Sequence, residues 1–467
     1  MGGMSKTFRS WDVDQRLLLP PSVDECVPAG HLAHLIRDTV RESLDLSAIL
    51  ARYEEERGYP PYHPVMMTAL LLYAYCQGIC SSRRIARACE ERMDFRAITA
   101  HQTPDFRTIA EFRRRHLEAL GALFGQVLAL CQEAGLVKLG HVALDGTKIQ
   151  ANASKHKAMS YGRMKQQEPL LAAEVAKWFA EAEARDAAED DELGPERRGD
   201  ELPEWVVNKI KRLAKIREAM AALEARAQAA AAAEAAAPAA ASEPAAGALP
   251  GLEVAQEGAS PPGAETLEEA PAAPPAAPDD KAQYNFTDPE SRIMKTADGF
   301  EQAYNAQAAV DASSQVIVAA ALTNEGNDKQ QVEPMVAEME AQTGRAPREL
   351  SADSGYCSET NLEHLTEHEI RGYVATGRQK HGQASATGPK KGGPQTEAMA
   401  QRLRRGGHRS RYRLRKQTVE PVFGQIKGAR GFRQFLLRGL AKVRQEWQLV
   451  CLAHNLLKLA AACSVAR

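Results

Sequence analysis

From Pro28 to about Leu136, apolar residues recur at three- and four-residue spacing, the period of helices that bury one face. "HPVMMTALLLYAYCQGI" is apolar nearly all round, which predicts a helix covered on every side. Beyond Gly78, Ser81 or Ser82 can cap a short amphipathic helix in "SSRRIARACEERM". "TPDFRTIAEFRRRHLEAL" then offers Thr103 or Asp105 as the cap of a helix bearing Arg113, Arg114 and Arg115. Two short capped helices with clustered arginine suggest a helix-turn-helix-like contact with DNA through Arg113 and Arg114. The competing reading is that these arginines are ordinary exposed helix positions.

The pattern changes at Val142. In "VALDGTKIQANAS" three apolar residues run into Asp145, as if a buried strand ended on a bare carboxylate. Taken alone, Asp145-Gly146 reads as a turn dipeptide closing a hairpin. A helical insertion follows from about Ser154. In it Val206, Ile210, Leu213, Met220 and Leu223 make one apolar face, suited to packing or self-association. Ala227 to Asp280 is low-complexity Ala, Pro and Glu, too poor in large apolar residues to offset its chain entropy. It reads as a disordered linker whose Ala-rich start can extend the preceding helix.

Order resumes at Tyr284. "GFEQAYNAQAAVDASSQVIVAAALTNEGND" predicts two strands joined at "DASSQ", followed by a helix from about Lys329 to Gln342. "PRELSADSGYCSETN" predicts a short strand ending on Asp353-Ser354-Gly355 and a helix from about Ser358. "IRGYVAT" is a further strand. A Gly/Lys-rich loop, a basic region and an apolar C-terminal helix complete the chain.

With 467 residues there is length for two or three domains and a sizeable core. The net charge of −2 hides an asymmetry: between Arg402 and Arg444 the only acid is Glu420. A local basic block marks a polyanion-binding surface better than the average does. The eight cysteines form no C-x-x-C pair and read as reduced thiols. Cys26 lies near His31 and His34, but a zinc site there lacks a second cysteine at ligand spacing. The charged start of the chain does not read as a signal peptide, and no apolar run approaches the ~20 residues that cross a bilayer. A cytoplasmic location without membrane contact is the expectation.

Asp353 matches Asp145: each follows apolar residues and precedes a glycine. Carboxylates at neighbouring strand ends repel unless a cation lies between them, and Mg²⁺ suits a few carboxylates plus waters and phosphates. A pair of such ions can activate the attacking oxygen and stabilise the leaving one in phosphodiester cleavage. The lone acid of the basic block, Glu420, is the third candidate. Lys427, Arg430, Arg433 and Arg438 in the same block can neutralise DNA phosphates.

"VALDGTKIQANAS", "SADSGYCS" and "RKQTVEPVFGQIKGARGFRQFLLRGLAKVRQEWQLVCLAHNLLKL" resemble the three catalytic blocks of bacterial insertion-sequence transposases of the DDE type. The stretch from "VPAGHLAHLIRD" to "TPDFRTIAEFRRRH" is similar to the helical N-terminal domain of the same enzymes, the InsH-like type. The resemblance implies an α/β fold: a ribonuclease-H-like mixed-sheet core with a helical N-terminal domain and a helical insertion. It implies a triad of Asp145 on the first strand, Asp353 on the fourth and Glu420 on a late helix, holding Mg²⁺, with Mn²⁺ able to substitute. In the Tyr-Arg-Glu-Lys signature around the glutamate, Lys427 fits, seven residues and about two turns on. Lys416 replaces the arginine, and Tyr412 is one position out of register. Pro421 suits a first helical turn, which would start that helix near Thr418 and leave Lys416 outside it.

The expected division is a helical DNA-binding domain over 1–136, a first catalytic strand region over 137–154, a helical insertion over 155–226, a linker over 227–280, and the rest of the catalytic domain over 281–467. The function implied is cleavage at the terminal inverted repeats of the element and joining of its 3′-hydroxyl ends to target DNA by two-metal-ion phosphoryl transfer. Its partner is double-stranded DNA, and a homodimer forms in the synaptic complex. The alternative is a catalytically inactive, transposase-derived DNA-binding protein. A helical scaffold built on the Val206–Leu223 stripe would leave the three carboxylate blocks unexplained.

Overall fold

A computed structural model describes residues 22, 25–53, 61–193, 204–236, 277–296, 299–377 and 392–465. It divides the chain into two compact units, one formed by Met1–Lys155 with Glu290–Arg467, the other by His156–Pro289.

The larger unit begins with helices α1 (Leu32–Glu42), α2 (Ser47–Leu50), α3 (Pro64–Cys76), α4 (Ser82–Glu91), α5 (Met93–Thr99), α6 (Phe106–Arg115) and α7 (Leu117–Glu133). The proline that opens α3 loses no hydrogen bond at a first helical position, and the helix is buried along most of its length. Asp105 caps α6 by accepting the Arg107 and Thr108 N–H groups at 2.6 and 3.3 Å. Of the two possible caps at α4, Ser81 holds the capping position, without a side-chain bond.

Strand β1 (Val142–Gln150) follows, and the smaller unit then interrupts the chain with β2 (Ala158–Ser160), α8 (Tyr161–Leu193), α9 (Glu204–Ala236) and β3 (Gln283–Asn285). The larger unit resumes with β4 (Arg292–Thr296), β5 (Gly299–Asp311), β6 (Ile317–Thr323), α10 (Val332–Thr343), β7 (Glu349–Ala352), α11 (Glu359–Glu367) and β8 (Arg371–Val374), and closes with α12 (Pro394–Gly406), α13 (Leu414–Gly424) and α14 (Leu440–Val465).

The main sheet has the order β4-β5-β1-β7-β8, with β6 also paired to β5. β1 is antiparallel to β5 and parallel to β7, and β7 is parallel to β8 across the helical crossover α11. This is the ribonuclease-H-like arrangement expected, with β4 added as a hairpin arm on the far end of β5. Helix α14 packs against β6, α7 and α3, so the N-terminal helices and the sheet share one core. Trp447 is fully buried and donates its indole N–H to the Gln307 carbonyl at 3.0 Å. Asn455 holds the edge strand by bonding both the N–H and the carbonyl of Ile317. The 1–136 segment is therefore not a separate compact unit.

One expectation fails instructively. β1 does not end at Asp145, and Asp145-Gly146 is no turn: the pair lies mid-strand, opposite Ala308 and Gln307 of β5. A side chain there would have to push aside the polar groups that crowd it. A Cβ at Gly146 would lie 2.5 Å from Gln307 Nε2 and 2.9 Å from Asp328 Oδ1.

In the smaller unit α8 and α9 pair, and β2 is antiparallel to β3. Met164, Ile216, Ala219 and Leu223 form its core with Tyr161 and Tyr284. Val206, Leu213 and Leu223 of the predicted stripe are buried within this unit, so the stripe serves internal packing. Two expected boundaries move: α9 runs on to Ala236, past residue 226, and residues 281–289 belong to this unit. Most of the expected linker falls on 237–276, most of the Gly/Lys-rich loop on 378–391 and the charged start on 1–21, all outside the described residues. None of the eight cysteines is paired in a disulfide, and among the described residues no helix is long and apolar enough to cross a membrane.

A buried acid gives the fold a pH dependence. Glu446 of α14 accepts the Leu436 and Leu437 N–H groups at 3.0–3.1 Å. Burial nevertheless pushes its carboxyl up to about 7, against the pull of those two amides and Arg113. The folded chain thus holds a proton that the unfolded chain releases near the ordinary value of about 4.3, so Glu446 costs stability as pH rises from roughly 4 to 7. Urea unfolding at pH 5 and pH 7.5 should show a loss of stability in the native chain that is smaller by roughly 1–3 kcal/mol in Glu446→Gln, where the similarly raised Asp145 still contributes. Equal pH dependence in both would contradict this assignment.

Candidate active site

β1 and β7 bring the two aspartates together. Their parallel register pairs Val142 with Leu350 and Ala143 with Ser351, and the same offset carries Asp145 to the level of Asp353. Asp353 lies just past β7, where its Oδ1 accepts the Gly355 N–H at 2.7 Å and caps the single turn Ser354–Tyr356. Asp145 Oδ1 accepts the Gly146 N–H at 3.0 Å.

Glu420 comes from α13, and an arginine joins it to the strand. Arg415 Nη1 contacts Asp145 Oδ2 at 2.5 Å, and its Nη2 lies 3.6 Å from Glu420 Oε1. Asp145 and Arg415 are 15% and 12% exposed, whereas Glu420 is 52% exposed. Glu420 therefore stands at the rim.

Helix α13 starts at Leu414, ahead of the Thr418 expected, and takes Pro421 into its interior. Pro421 has no N–H to give the Gln417 carbonyl one turn back. That carbonyl accepts from Gln315 Nε2 at 3.0 Å instead, which lets the helix start early. Lys416 is thus inside the helix and exposed. Arg415, one position before Lys416, is the arginine that faces the carboxylates. Tyr412 is half-buried beside it and bonds the Arg415 guanidinium. Burial raises its phenol's pKa, Arg415 lowers it, and Asp353 and Asp145 raise it further.

Asp328, which sequence reasoning passed over, completes the cluster. Its Oδ1 accepts from Asn305 Nδ2 at 2.6 Å and Gln307 Nε2 at 2.7 Å, and Lys148 Nζ lies 3.7 Å away. Tyr356 donates its hydroxyl to Gln307 Oε1. A Cβ at Gly355 would sit 2.9 Å from Asp353 Oδ1 and 3.2 Å from Asp328 Oδ2, so both carboxylates border one glycine. The signal was readable: "AYNAQAAV" places two amides in an otherwise alanine-rich buried strand, and such amides need a polar partner.

This crowding shows in the acidity of Asp145. Burial raises its carboxyl to about 7; Arg415 pulls it down, Asp353 pushes it up, the Gly146 N–H lowers it and Asp328 raises it. The donor set is hard carboxylate oxygen carrying more negative charge than its one arginine balances, which fits a hard divalent cation. Among the described residues no group of three or more His, Cys, Asp or Glu stands close enough together to hold a metal ion.

The predicted basic residues separate into three groups. Lys427 and Arg433, with Lys148 and Lys295, line a cleft of about 420 Å³ that runs past Gly146. Lys427 Nζ donates to the Lys148 carbonyl at 2.7 Å, and burial lowers its pKa. A π-helical turn, Gln425–Ala429, intervenes after α13, so counting two regular turns from Glu420 does not place Lys427. Arg114 and Arg438 line a second cleft of about 730 Å³ with Arg52, Arg115 and Lys442.

Arg113 and Arg430 form the third group, and for them the DNA-contact expectation is corrected. Arg113 is 7% exposed and donates to the Cys80 carbonyl at 2.7 Å, Ser82 Oγ at 3.2 Å and Tyr75 Oη at 3.3 Å, bracing α6 against α3 and the start of α4. Arg430 turns inward to His454 Nδ1 at 3.2 Å, and burial lowers its pKa. Arg113→Ala should lower unfolding stability by about 2–4 kcal/mol, since it orphans buried acceptors. Arg114→Ala, which removes only an exposed pair with Glu111 at 2.6 Å, should change it by less than about 0.5 kcal/mol. Equal urea midpoints for the two variants would overturn this division.

A family model described as "Transposase domain (DUF772)" matches residues 21–115, and one described as "Transposase DDE domain" matches residues 276–456. No curated protein and no solved structure gives a significant match. Together the two models take in more than half of the chain, and the second spans Asp353, Glu420 and most of the sheet. The fold and family thus define a polynucleotidyl-transferase-type enzyme with a ribonuclease-H-like core. The chain belongs to the insertion-sequence transposases of the DDE type. The family implies DNA binding, and its members generally use divalent metal ions.

Proposed function

We propose that the chain is an active transposase that cleaves at the terminal inverted repeats of its own insertion sequence and joins the 3′-hydroxyl ends to target DNA. Asp145, Asp353 and Glu420 are its catalytic carboxylates. The observation that carries this reading is the register that sets Asp145 level with Asp353 on adjacent parallel strands, with Arg415 tying Glu420 to the same carboxylate.

The carboxylates of Asp145, Asp353 and Glu420 would hold Mg²⁺, for which Mn²⁺ can substitute. When bound, such ions neutralise the phosphate, activate the attacking oxygen and stabilise the leaving one in two-metal-ion phosphoryl transfer. The chain's own residues do the rest. Lys148, Lys427 and Arg433 offer cations to the phosphate backbone beside Gly146. Asp328 holds Lys148 at the mouth of the site, and Tyr412 steadies Arg415. A homodimer in the cytoplasm would hold two element ends in one synaptic complex.

The joining half-reaction tests the proposal. A duplex ending in a pre-cut 3′-hydroxyl at the terminal repeat, incubated with full-length protein, Mg²⁺ and supercoiled plasmid, should yield labelled open-circle product. Repeat-specific binding without joining would identify an inactive DNA-binding derivative instead.

A further inference from the structure

We propose that Arg415 is a built-in counter-ion of the catalytic carboxylates: it ties Asp145 to Glu420 in the metal-free enzyme and competes with the divalent cation for the same oxygens. This rests on the reading of Asp145 and Glu420 as metal ligands and deepens it.

Two observations converge. Arg415 contacts both carboxylates, at 2.5 and 3.6 Å, and is itself only 12% exposed. The remaining charges near Asp145 are already engaged: Lys148 faces Asp328 at 3.7 Å, and Asp353 takes the Gly355 N–H. The Arg415 guanidinium and a divalent cation would draw on the same Asp145 carboxylate, and two cations on one carboxylate repel, so each weakens the other's hold. A buried carboxylate is stabilised by a neighbouring positive charge, and Arg415 supplies one to Asp145. Cation binding at Asp145 is then opposed by Arg415, which also links that carboxylate to Glu420.

Mn²⁺ binding to the full-length protein without DNA, followed by electron paramagnetic resonance of the free ion, tests this apart from catalysis. Arg415→Ala should bind Mn²⁺ at least about tenfold more tightly than the native chain, the scale on which a neighbouring opposite charge shifts a carboxylate's ionisation. Arg415→Lys, which keeps the charge, should fall between the two. In EDTA, Arg415→Ala should melt below the native chain and gain more from added Mn²⁺. Unchanged or weaker Mn²⁺ binding in Arg415→Ala, while Asp145→Asn still weakens it, would overturn the counter-ion role alone. Mn²⁺ binding indifferent to Asp145→Asn would overturn the metal-ligand reading and this inference with it.

Discussion

Asp353→Asn should bind the element's ends at least as tightly as the native chain and cut no strand of them. The substitution keeps the shape of the side chain and its acceptor for the Gly355 N–H, so the Ser354–Tyr356 turn stays capped. What disappears is a negative charge, and with it a ligand for a hard cation. Asp145→Asn and Glu420→Gln should give the same loss of cleavage and joining. DNA affinity should hold or rise, because a carboxylate no longer opposes the incoming phosphates. Ca²⁺ should support binding without turnover, since it favours looser, higher-coordinate geometry. Band-shift and denaturing gels on one set of samples separate the two properties. Cleavage by Asp353→Asn near the native rate would end the triad mechanism.

The second large effect concerns the 730 Å³ cleft, where Arg52, Arg114, Arg115, Arg438 and Lys442 face a single lining acid, Glu118. Arg114 comes from α6 and Lys442 from α14, so the cleft gathers cations from both ends of the sequence. Arg114→Ala with Lys442→Ala should weaken duplex binding about 10- to 100-fold at low salt and reduce the slope of log affinity against log salt by about two. Arg430→Ala should change that slope far less, because its guanidinium turns inward toward His454 rather than into the cleft. Filter binding across a salt series reads both. A slope altered by Arg430→Ala and untouched by the double variant would reverse the assignment.

Where periodicity and burial agree, the sequence was a sufficient guide. α3, the β5–β6 pair, the Asp105 cap and the helix starting near Ser358 stand as the patterns predict. The failures have a common physical cause: a local rule yielded to a distant partner. Asp145-Gly146 carries turn chemistry, but β5 pairs with it on one side and the Asp328 network claims the space a side chain would need. Pro421 carries helix-start chemistry, but Gln315, about a hundred residues earlier in the chain, satisfies the carbonyl it strands. Clustered arginines look alike in a string of letters; Arg113 sinks into three acceptors while Arg114, its neighbour, stays outside. Arg415 is one of many arginines in the basic block, and only the fold shows it facing Asp145. Asp328 needed the two amides of β5 to be read as a request for a partner.

The central claim is that this chain cuts DNA with its three carboxylates. A duplex spanning the end of the element, labelled on the strand to be cut, should be incubated with purified full-length protein and resolved on a denaturing gel. With Mg²⁺ or Mn²⁺ the native chain should release a discrete fragment whose 3′-hydroxyl lies at the terminal repeat, and EDTA should abolish it. An intact duplex in both metals, or a fragment that persists in EDTA, would contradict the account.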